Sequence, residues 1–220
     1  MIKPKTKIFL VDDHPLVCEW LTNLIHQQPD LVVCGEAESA PQALEAIAQL
    51  KPDLAIVDIS LKGASGIELI KNLRALHPAV VLIVLSMHDE SLYAERALRA
   101  GARGYIMKRE TARRIIAAIR QVLGGRLYVS ERLTSVFAEK FLDGQAATVA
   151  SPVEQLSDRE LEVFQLFGQG CETRQIAESL DVSMKTVQSY CARIKEKLKR
   201  TSATELLREA VRWHESQQAK

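Results

Sequence analysis

The sequence predicts an α/β domain, a doubly wound parallel sheet built from five βα units, followed by a small all-α module. Three observations carry that prediction. Four short apolar runs each stop on a residue able to do phosphate or metal chemistry: Ile8–Val11 at Asp12 and Asp13, Leu54–Val57 at Asp58, Val81–Leu85 at Ser86, and Gly104–Met107 at Lys108. Short continuous apolar runs suit strands buried on both faces of a sheet, and apolar stripes at helical spacing lie between them. After Leu156 the strand signal disappears and only helical patterns remain.

The elements follow in order. After the first strand comes a stripe of Leu16, Trp20, Leu21, Leu24 and Ile25. Leu31–Gly35 supplies the second strand. Ser39 and Pro41 then serve as cap and first-turn proline for a helix whose stripe is Ala43, Leu44, Ile47 and Leu50. The third strand, Leu54–Val57, is followed by Ile67, Leu69, Ile70 and Leu73. The fourth, Val81–Leu85, is followed by Leu92, Ala94, Ala97 and Leu98. The fifth, Gly104–Met107, leads to Ile115, Ile116, Ile119 and Val122, closed by Gly124 and Gly125. Five such units favour the flavodoxin-like strand order 2-1-3-4-5, with its switch point between strands 1 and 3. Ligands bind there, outside the carboxyl ends of the strands. Asp12, Asp13 and Asp58 stand at those ends.

Residues 1–128 form this first domain, residues 129–154 a linker, and residues 155–220 the helical module. Ser130 to Leu142 reads as an amphipathic helix within the linker, with Leu133, Val136, Phe137 and Phe141 inward. Asp143 to Gln155 has no period and carries Gly, Ser and Pro. In the module, Ser157-x-x-Glu160 is a capping box that opens a helix through Leu166, ended by Gly168 and Gly170. Thr173 to Leu180 is a short second helix. Asp181-Val182-Ser183 makes a tight turn, and Ser183 caps a third helix reaching about Lys199. Ser202-x-x-Glu205 is a second capping box, opening a last helix through Trp213.

Composition is that of an ordinary globular chain, 47% hydrophobic and 26% charged, with a formal net charge of +1. That balance excludes a strongly basic protein and an acidic disordered one. No apolar stretch approaches the roughly 18 residues of a membrane span. The N-terminal apolar run leads straight into two aspartates, which excludes a signal peptide. Cys18, Cys34, Cys171 and Cys191 show no C-x-x-C spacing and read as buried free thiols in a reduced, cytoplasmic compartment.

The rim residues have complementary chemistry. Carboxylates placed together resist joint ionisation, and a divalent cation removes that conflict. Hard Mg²⁺ prefers such oxygen ligands. Asp58 can act as a nucleophile and form an aspartyl phosphate. The metal and Lys108 would offset charge on the phosphoryl oxygens, and Ser86 could donate a hydrogen bond to one of them. Taken singly, each residue has a plainer reading: an aspartate after a strand is often a turn former or helix cap, and Pro15 follows Asp13 as a helix starter. The joint pattern is what chance explains poorly.

The first block resembles the receiver domain of bacterial two-component response regulators over roughly residues 5–125. The residues carrying the resemblance are Val11-Asp12-Asp13-His14-Pro15, Val57-Asp58, Leu85-Ser86 and Tyr105-x-x-Lys108. It implies that Asp58 accepts phosphate from a sensor histidine kinase. It further implies that Asp12, Asp13, Asp58 and the Ile59 carbonyl hold Mg²⁺. Ser86, Tyr105 and Lys108 become phosphoryl-contact and switch residues, the ring of Tyr105 moving inward behind Ser86. Two positions depart from the pattern: Arg109 follows Lys108 where most receivers have proline, and Lys62 stands where many have proline.

In the third helix of the module, Val187, Cys191, Ile194 and Leu198 form the inward stripe. From Ser183 to Arg200 there are six basic residues against one acid, whereas residues 151–220 balance at 11 and 11. A solvated charged helix would account for the basic residues alone. The order of helices and turns resembles the LuxR-type helix-turn-helix over residues 156–213. The match runs through Leu156-Ser157-x-Arg159-Glu160-x-Glu162-Val163, Gly170, Ile176-Ala177, Val182-Ser183, Lys185-Thr186-Val187 and Ile194-x-x-Lys197-Leu198. It implies a third helix that reads the major groove of DNA. Gln188 suits adenine, while Lys185, Arg193 and Lys195 suit phosphates. Thr186 and Ser189 share the reading face, and Tyr190 would either reach a phosphate or pack. Leu206, Leu207, Ala210 and Val211 on the last helix would pair across a dimer, or else pack within their own module.

Together the two resemblances imply a NarL/FixJ-type response regulator, a phosphorylation-switched transcription factor that is not an enzyme beyond its own phosphorylation and slow dephosphorylation. Expected partners are a sensor histidine kinase, double-stranded promoter DNA and a second phosphorylated copy, with RNA polymerase a further candidate and no membrane. The alternatives are a DNA-binding regulator independent of phosphorylation and an aspartyl-phosphate phosphohydrolase.

Overall fold

A computed structural model of the chain describes residues 4–61, 63–142 and 152–218. The chain divides into two compact units, residues 1–144 and 145–220. The helix expected inside the linker therefore belongs to the first unit. Residues 143–151 of the expected linker, and Lys62, lie outside the described residues.

The first unit alternates strand and helix: β1 (Thr6–Val11), α1 (Pro15–His26), β2 (Leu31–Ala37), α2 (Ala40–Leu50), β3 (Leu54–Val57), then a two-stranded turn of β4 (Ser60–Leu61) and β5 (Ala64–Ser65). After it come α3 (Gly66–Leu76), β6 (Val81–Ser86), α4 (Glu90–Ala100), β7 (Gly104–Met107), α5 (Ala112–Leu123) and α6 (Glu131–Leu142). The five long strands form one parallel sheet in the order β2-β1-β3-β6-β7. This is the predicted flavodoxin-like order. Ile8, Leu10, Leu54, Ile56, Ile83 and Leu85 are buried in its core with Leu21, Ile25, Ile115 and Ile119. Full burial of one such side chain stabilises the fold by about 1.5–3 kcal/mol.

Several expected stripes rotate. In α1 the buried residues are Cys18, Leu21 and Ile25, while Leu16 is 80% exposed and Trp20 is 41% exposed. A set at 18, 21 and 25 and a set at 16, 20 and 24 both fit helical spacing, and the sheet selects the first. In α4 the large buried side chain is Tyr93 rather than Leu92 or Leu98. Ser39 stands at the N-cap of α2, but its hydroxyl makes no capping bond. In α6, Leu133 is buried, Val136 is exposed and Phe137 is half-buried. The side chain of Phe141 lies outside the described residues. Among the cysteines Cys18 is buried and the other three are half-buried, all of them free. No described helix is long and apolar enough to cross a membrane.

The second unit opens with a 3-10 turn at Pro152–Gln155, followed by α7 (Asp158–Gly168), α8 (Thr173–Ser179), α9 (Met184–Lys197) and α10 (Ala203–Gln218). Both arms of the Ser157–Glu160 capping box are present. Glu160 also accepts from Lys197 Nζ at 2.6 Å, so the cap of α7 is tied to the last turn of α9. The second box is rearranged: Ser202 Oγ accepts from the Glu205 amide at 3.1 Å, while the Glu205 carboxylate accepts from the Thr201 amide at 2.9 Å. Val187, Ile194 and Leu198 are buried as expected, and Cys191 is half-buried. Gly168 is required where α7 crosses α10, because a Cβ there would stand 2.6 Å from the Ala210 carbonyl oxygen.

Candidate functional site

β1 and β3 are neighbours, and each ends at an acidic residue. The Asp58 amide donates to the Val11 carbonyl at 2.8 Å, which holds the two strand ends level. At the end of β1, Asp12 Oδ1 accepts from the His14 amide at 3.0 Å and shapes the turn into α1. Pro15 starts that helix, as the sequence suggests. On the other side of β3, the Lys108 amide donates to the Ser86 carbonyl at 2.8 Å. Parallel pairing thus brings Asp12, Asp13, Asp58, Ser86 and Lys108 to one rim.

The Lys108 ammonium bridges two carboxylates, lying 2.7 Å from Asp12 Oδ2 and 2.8 Å from Asp58 Oδ2. All three side chains are more than nine-tenths buried. Burial pushes the Asp58 carboxyl above its ordinary value, although the Lys108 charge and hydrogen bond pull it down. Burial alone would lower the Lys108 ammonium. The Asp58 charge and the bonds to Asp12 and Asp58 hold it above its ordinary value instead. The second oxygen of Asp58, Oδ1, is buried and has no hydrogen-bond partner among the described residues. A buried carboxylate oxygen left in this state is costly unless a cation or a reaction uses it.

Ligand atoms of Asp12, Asp13, His14 and Asp58 all lie within 4.8 Å of one another. Three of the four groups are carboxylates, the hard oxygen donors that Mg²⁺ takes. The Asp58 carboxylate in this cluster has one oxygen, Oδ1, with no hydrogen-bond partner among the described residues. The acidic pocket is therefore compatible with Mg²⁺. His14 was not among the expected ligands. Its Nδ1 lies 2.9 Å from Asp13 Oδ1 and its side chain is 62% exposed.

One expected ligand is corrected. The Ile59 carbonyl accepts from the Gly66 amide at 2.7 Å and from the Leu61 amide at 3.2 Å. Both its lone pairs are spent in closing the β4–β5 turn, so it is not free to hold a metal. That turn packs tightly: a Cβ on Gly66 would fall 1.9 Å from the Asp58 carbonyl oxygen.

Beside the carboxylates lies a hydroxyl and histidine network. Ser86 is fully buried, and its Oγ accepts from the His88 amide at 3.2 Å. Tyr105 is 1% exposed and donates its hydroxyl to the His88 carbonyl at 2.9 Å. Burial raises the Tyr105 hydroxyl above its ordinary value, which keeps it a donor. In this structure the Tyr105 ring already lies inside. The peptide bond between Lys108 and Arg109 is trans.

His88 and Ser60 were not legible as site residues. His88 Nε2 lies 2.6 Å from Ser60 Oγ, and the His88 ring stands 4.6 Å from that of Tyr93. Burial, and then the Lys108 charge, push the His88 imidazole down to about 4. A neutral histidine thus joins the loop after β6 to the turn after β3. A histidine two residues past a strand end carries no sequence signal for such a role.

In the second unit the Ser183 hydroxyl accepts from the Thr186 amide at 3.0 Å and caps α9. Asp181, at φ 50°, turns the chain between α8 and α9. Ser183, Lys185, Thr186, Ser189, Tyr190 and Arg193 line one shallow pocket of about 360 Å³ on the outer face of α9. Gln188 is exposed, and Ser189 donates its hydroxyl to the Lys185 carbonyl of its own helix at 3.0 Å. Lys195 is half-buried and lies outside that pocket. The expected dimer residues separate. Leu206 and Ala210 are buried within the unit, whereas Leu207 is 43% exposed and Val211 half-buried. The first pair is core, the second of the two readings, since both side chains are buried within their own unit.

Comparison with known proteins finds the same two parts. Residues 8–120 match the response regulator receiver domain, and residues 154–210 match the luxR family of bacterial regulatory proteins. The chain is 34% identical over 200 residues to the nitrate/nitrite response regulator protein NarL of Escherichia coli K12, covering 90% of this chain and 91% of that protein. It is 33% identical over 206 residues to the response regulator GacA of Pseudomonas aeruginosa, covering 94% and 95%. Among solved structures, a LuxR-family two-component response regulator from Aurantimonas matches 63% of this chain and 99% of its own, at 33% identity and TM-score 0.59. RcsB of Salmonella enterica serovar Typhimurium, bound to promoter rprA with the phosphomimetic BeF3-, matches 93% and 97% at 26% identity and TM-score 0.60.

Proposed function

Because this chain belongs to the two-component response regulators that join a receiver domain to a LuxR-type DNA-binding domain, we propose that it is switched by phosphorylation of Asp58 and then binds promoter DNA as a dimer. One observation carries the proposal: the buried, unpartnered Oδ1 of Asp58 stands beside a carboxylate cluster and a lysine that already bridges Asp12 and Asp58.

Asp58 Oδ1 attacks the phosphorus of a kinase phosphohistidine. The new O–P bond forms as the N–P bond breaks, and the leaving imidazole keeps the electron pair. Asp12, Asp13 and Asp58 would hold Mg²⁺, which supplies charge neutralisation for the phosphoryl oxygens. Lys108 contributes a second positive charge to those oxygens. Ser86 releases the His88 amide and donates its hydroxyl to the phosphoryl group. That exchange pulls on the loop whose His88 carbonyl holds Tyr105.

Output lies on α9. Gln188 suits an adenine edge, and Lys185, Arg193 and Lys195 suit phosphates, with Thr186, Ser189 and Tyr190 beside them. Leu207 and Val211 remain as dimer contacts on α10. RcsB was solved on promoter DNA with a phosphomimetic, which supports the same coupling here. A soluble cytoplasmic location, a sensor histidine kinase as donor, contact with RNA polymerase, and slow self-dephosphorylation complete the reading. Incubation with Mg²⁺ and acetyl phosphate should label the protein and tighten its binding to promoter DNA. Asp58→Ala should do neither. Equal labelling of that variant would overturn the phosphoacceptor assignment, and labelling without a change in DNA affinity would overturn the switch.

A further inference from the structure

The segment after α5 does not leave the first unit as a free strand. The Tyr128 amide donates to the Arg103 carbonyl at 2.9 Å, and the Tyr105 amide donates to the Tyr128 carbonyl at 3.0 Å. Tyr128 therefore forms a parallel bridge with Gly104 and covers part of the open edge of β7. Gln121 Nε2 holds the Leu127 carbonyl at 2.5 Å, fixing the approach. Two residues further on, the Ser130 hydroxyl donates to Glu90 Oε1 at 2.6 Å and accepts from the Leu133 amide at 3.1 Å. One hydroxyl thus caps α6 and grips the first turn of α4. A cleft of about 450 Å³ lies here, with Glu90, Tyr105, Tyr128 and Ser130 in its wall.

Glu90 begins the helix that ends the Ser86–His88 loop. We infer that the Glu90–Ser130 hydrogen bond is a latch through which movement of that loop is passed to α6. The inference rests on the phosphorylation switch proposed above. Its physical basis is short and continuous. Ser86 Oγ holds the His88 amide, the His88 carbonyl holds the Tyr105 hydroxyl, and the Tyr105 amide holds Tyr128. Drawing Ser86 toward a phosphoryl group shifts the loop and the start of α4. Glu90 then pulls away from Ser130, and α6 loses its hydrogen-bonded tie to α4 while keeping its cap and the buried Leu133. A hydrogen bond to a charged group is strong enough to change an opening equilibrium by about tenfold. That is the size of a typical allosteric coupling.

The test compares the full-length wild type with Glu90→Ala, Glu90→Gln and Ser130→Ala, each before and after acetyl phosphate. Labelling measures the phosphoacceptor step, hydrogen exchange over residues 131–142 measures α6, and promoter titration measures output. Glu90→Ala should label at least as readily as the wild type, because a latch that opens on labelling favours labelling once it is already open. Its α6 amides should exchange about tenfold faster before labelling, and its DNA affinity should lie closer to the labelled wild type's. Glu90→Gln keeps an acceptor oxygen and should restore most of the difference. Ser130→Ala removes latch and cap together and should exchange fastest. Wild-type exchange in α6 of Glu90→Ala, or faster exchange with an unchanged ratio of DNA affinities, overturns the latch. A wild type that labels but does not alter its DNA affinity overturns instead the switch on which the latch depends.

Discussion

His88 shows how one side chain can make acid stability a property of the site. Its imidazole is pushed down to about 4, first by burial and then by the Lys108 charge. An unfolded histidine takes its proton near pH 6.5, so between pH 6.5 and 4 the unfolded chain binds a proton that the folded site refuses. The stability this group contributes is fully present above pH 6.5 and is lost as pH falls toward 4. The loss amounts to as much as roughly 3 kcal/mol. Asp58 works with the opposite sign, because its raised carboxyl is least costly when protonated. Subtracting a variant isolates the histidine: His88→Asn keeps a hydrogen-bonding side chain and has no proton to take. Urea unfolding at pH 7, 5.5 and 4.5 should show the wild type losing its advantage over His88→Asn as pH falls. A difference that stays constant across that range would remove the neutral histidine from the account of the site.

At the scale of elements, what was legible followed from how strongly each position is over-determined. The five strands were legible because a parallel sheet buries both faces, so β1, β3, β6 and β7 read as unbroken apolar runs ending on Asp12, Asp58, Ser86 and Lys108. Amphipathic helices were legible as helices but not always by face. The α1 sequence offers two apolar sets, and only contact with the sheet makes Cys18 inward and Leu16 outward. The same ambiguity left Leu206 and Ala210 open between a dimer face and the interior of their own module, where they are buried. Ile59 and His88 escaped the sequence for another reason: the Ile59 carbonyl is spent on the Gly66 and Leu61 amides, and the His88 imidazole meets Ser60 from a different loop, so neither role follows from residue type and local spacing. Gly168 is the converse case, a glycine whose necessity appears only when α10 is in place. A methyl group there would meet the Ala210 carbonyl oxygen at 2.6 Å and His214 Cβ at 2.9 Å. Gly168→Ala should therefore separate α7 from α10 and cost about 1–3 kcal/mol, as overpacking does. In a Trp20→Phe background Trp213, which lies 5.5 Å from Phe164, reports the change. Unfolding by urea with unaltered midpoint would show that the two helices can part without cost.

Across the whole molecule, a net charge of +1 gives no sign of nucleic-acid binding, and the charge that matters is local. Counting residues from Ser183 to Arg200 overstates it. Of the six cations there, Lys197 is bound to Glu160 at 2.6 Å and Arg200 to Glu209. Lys185, Arg193, Lys195 and Lys199 have no ion-pair partner among the described residues. Each phosphate neutralised on duplex DNA contributes about −0.9 to the slope of log affinity against log salt. Four available cations therefore set a slope of roughly −3 to −4 for one module and about twice that for a dimer. Lys185→Ala should flatten the slope by about 1 per module, uniformly across DNA sequences. Lys197→Ala removes the same formal charge from the same helix but should leave the slope unchanged. Its cost falls instead on the cap of α7, through the loss of the Glu160 partner. Anisotropy titrations of both variants over a range of KCl concentrations separate the two roles. Equal flattening by Lys185→Ala and Lys197→Ala would mean that the Glu160 pair opens on DNA and that Lys197 too reaches a phosphate.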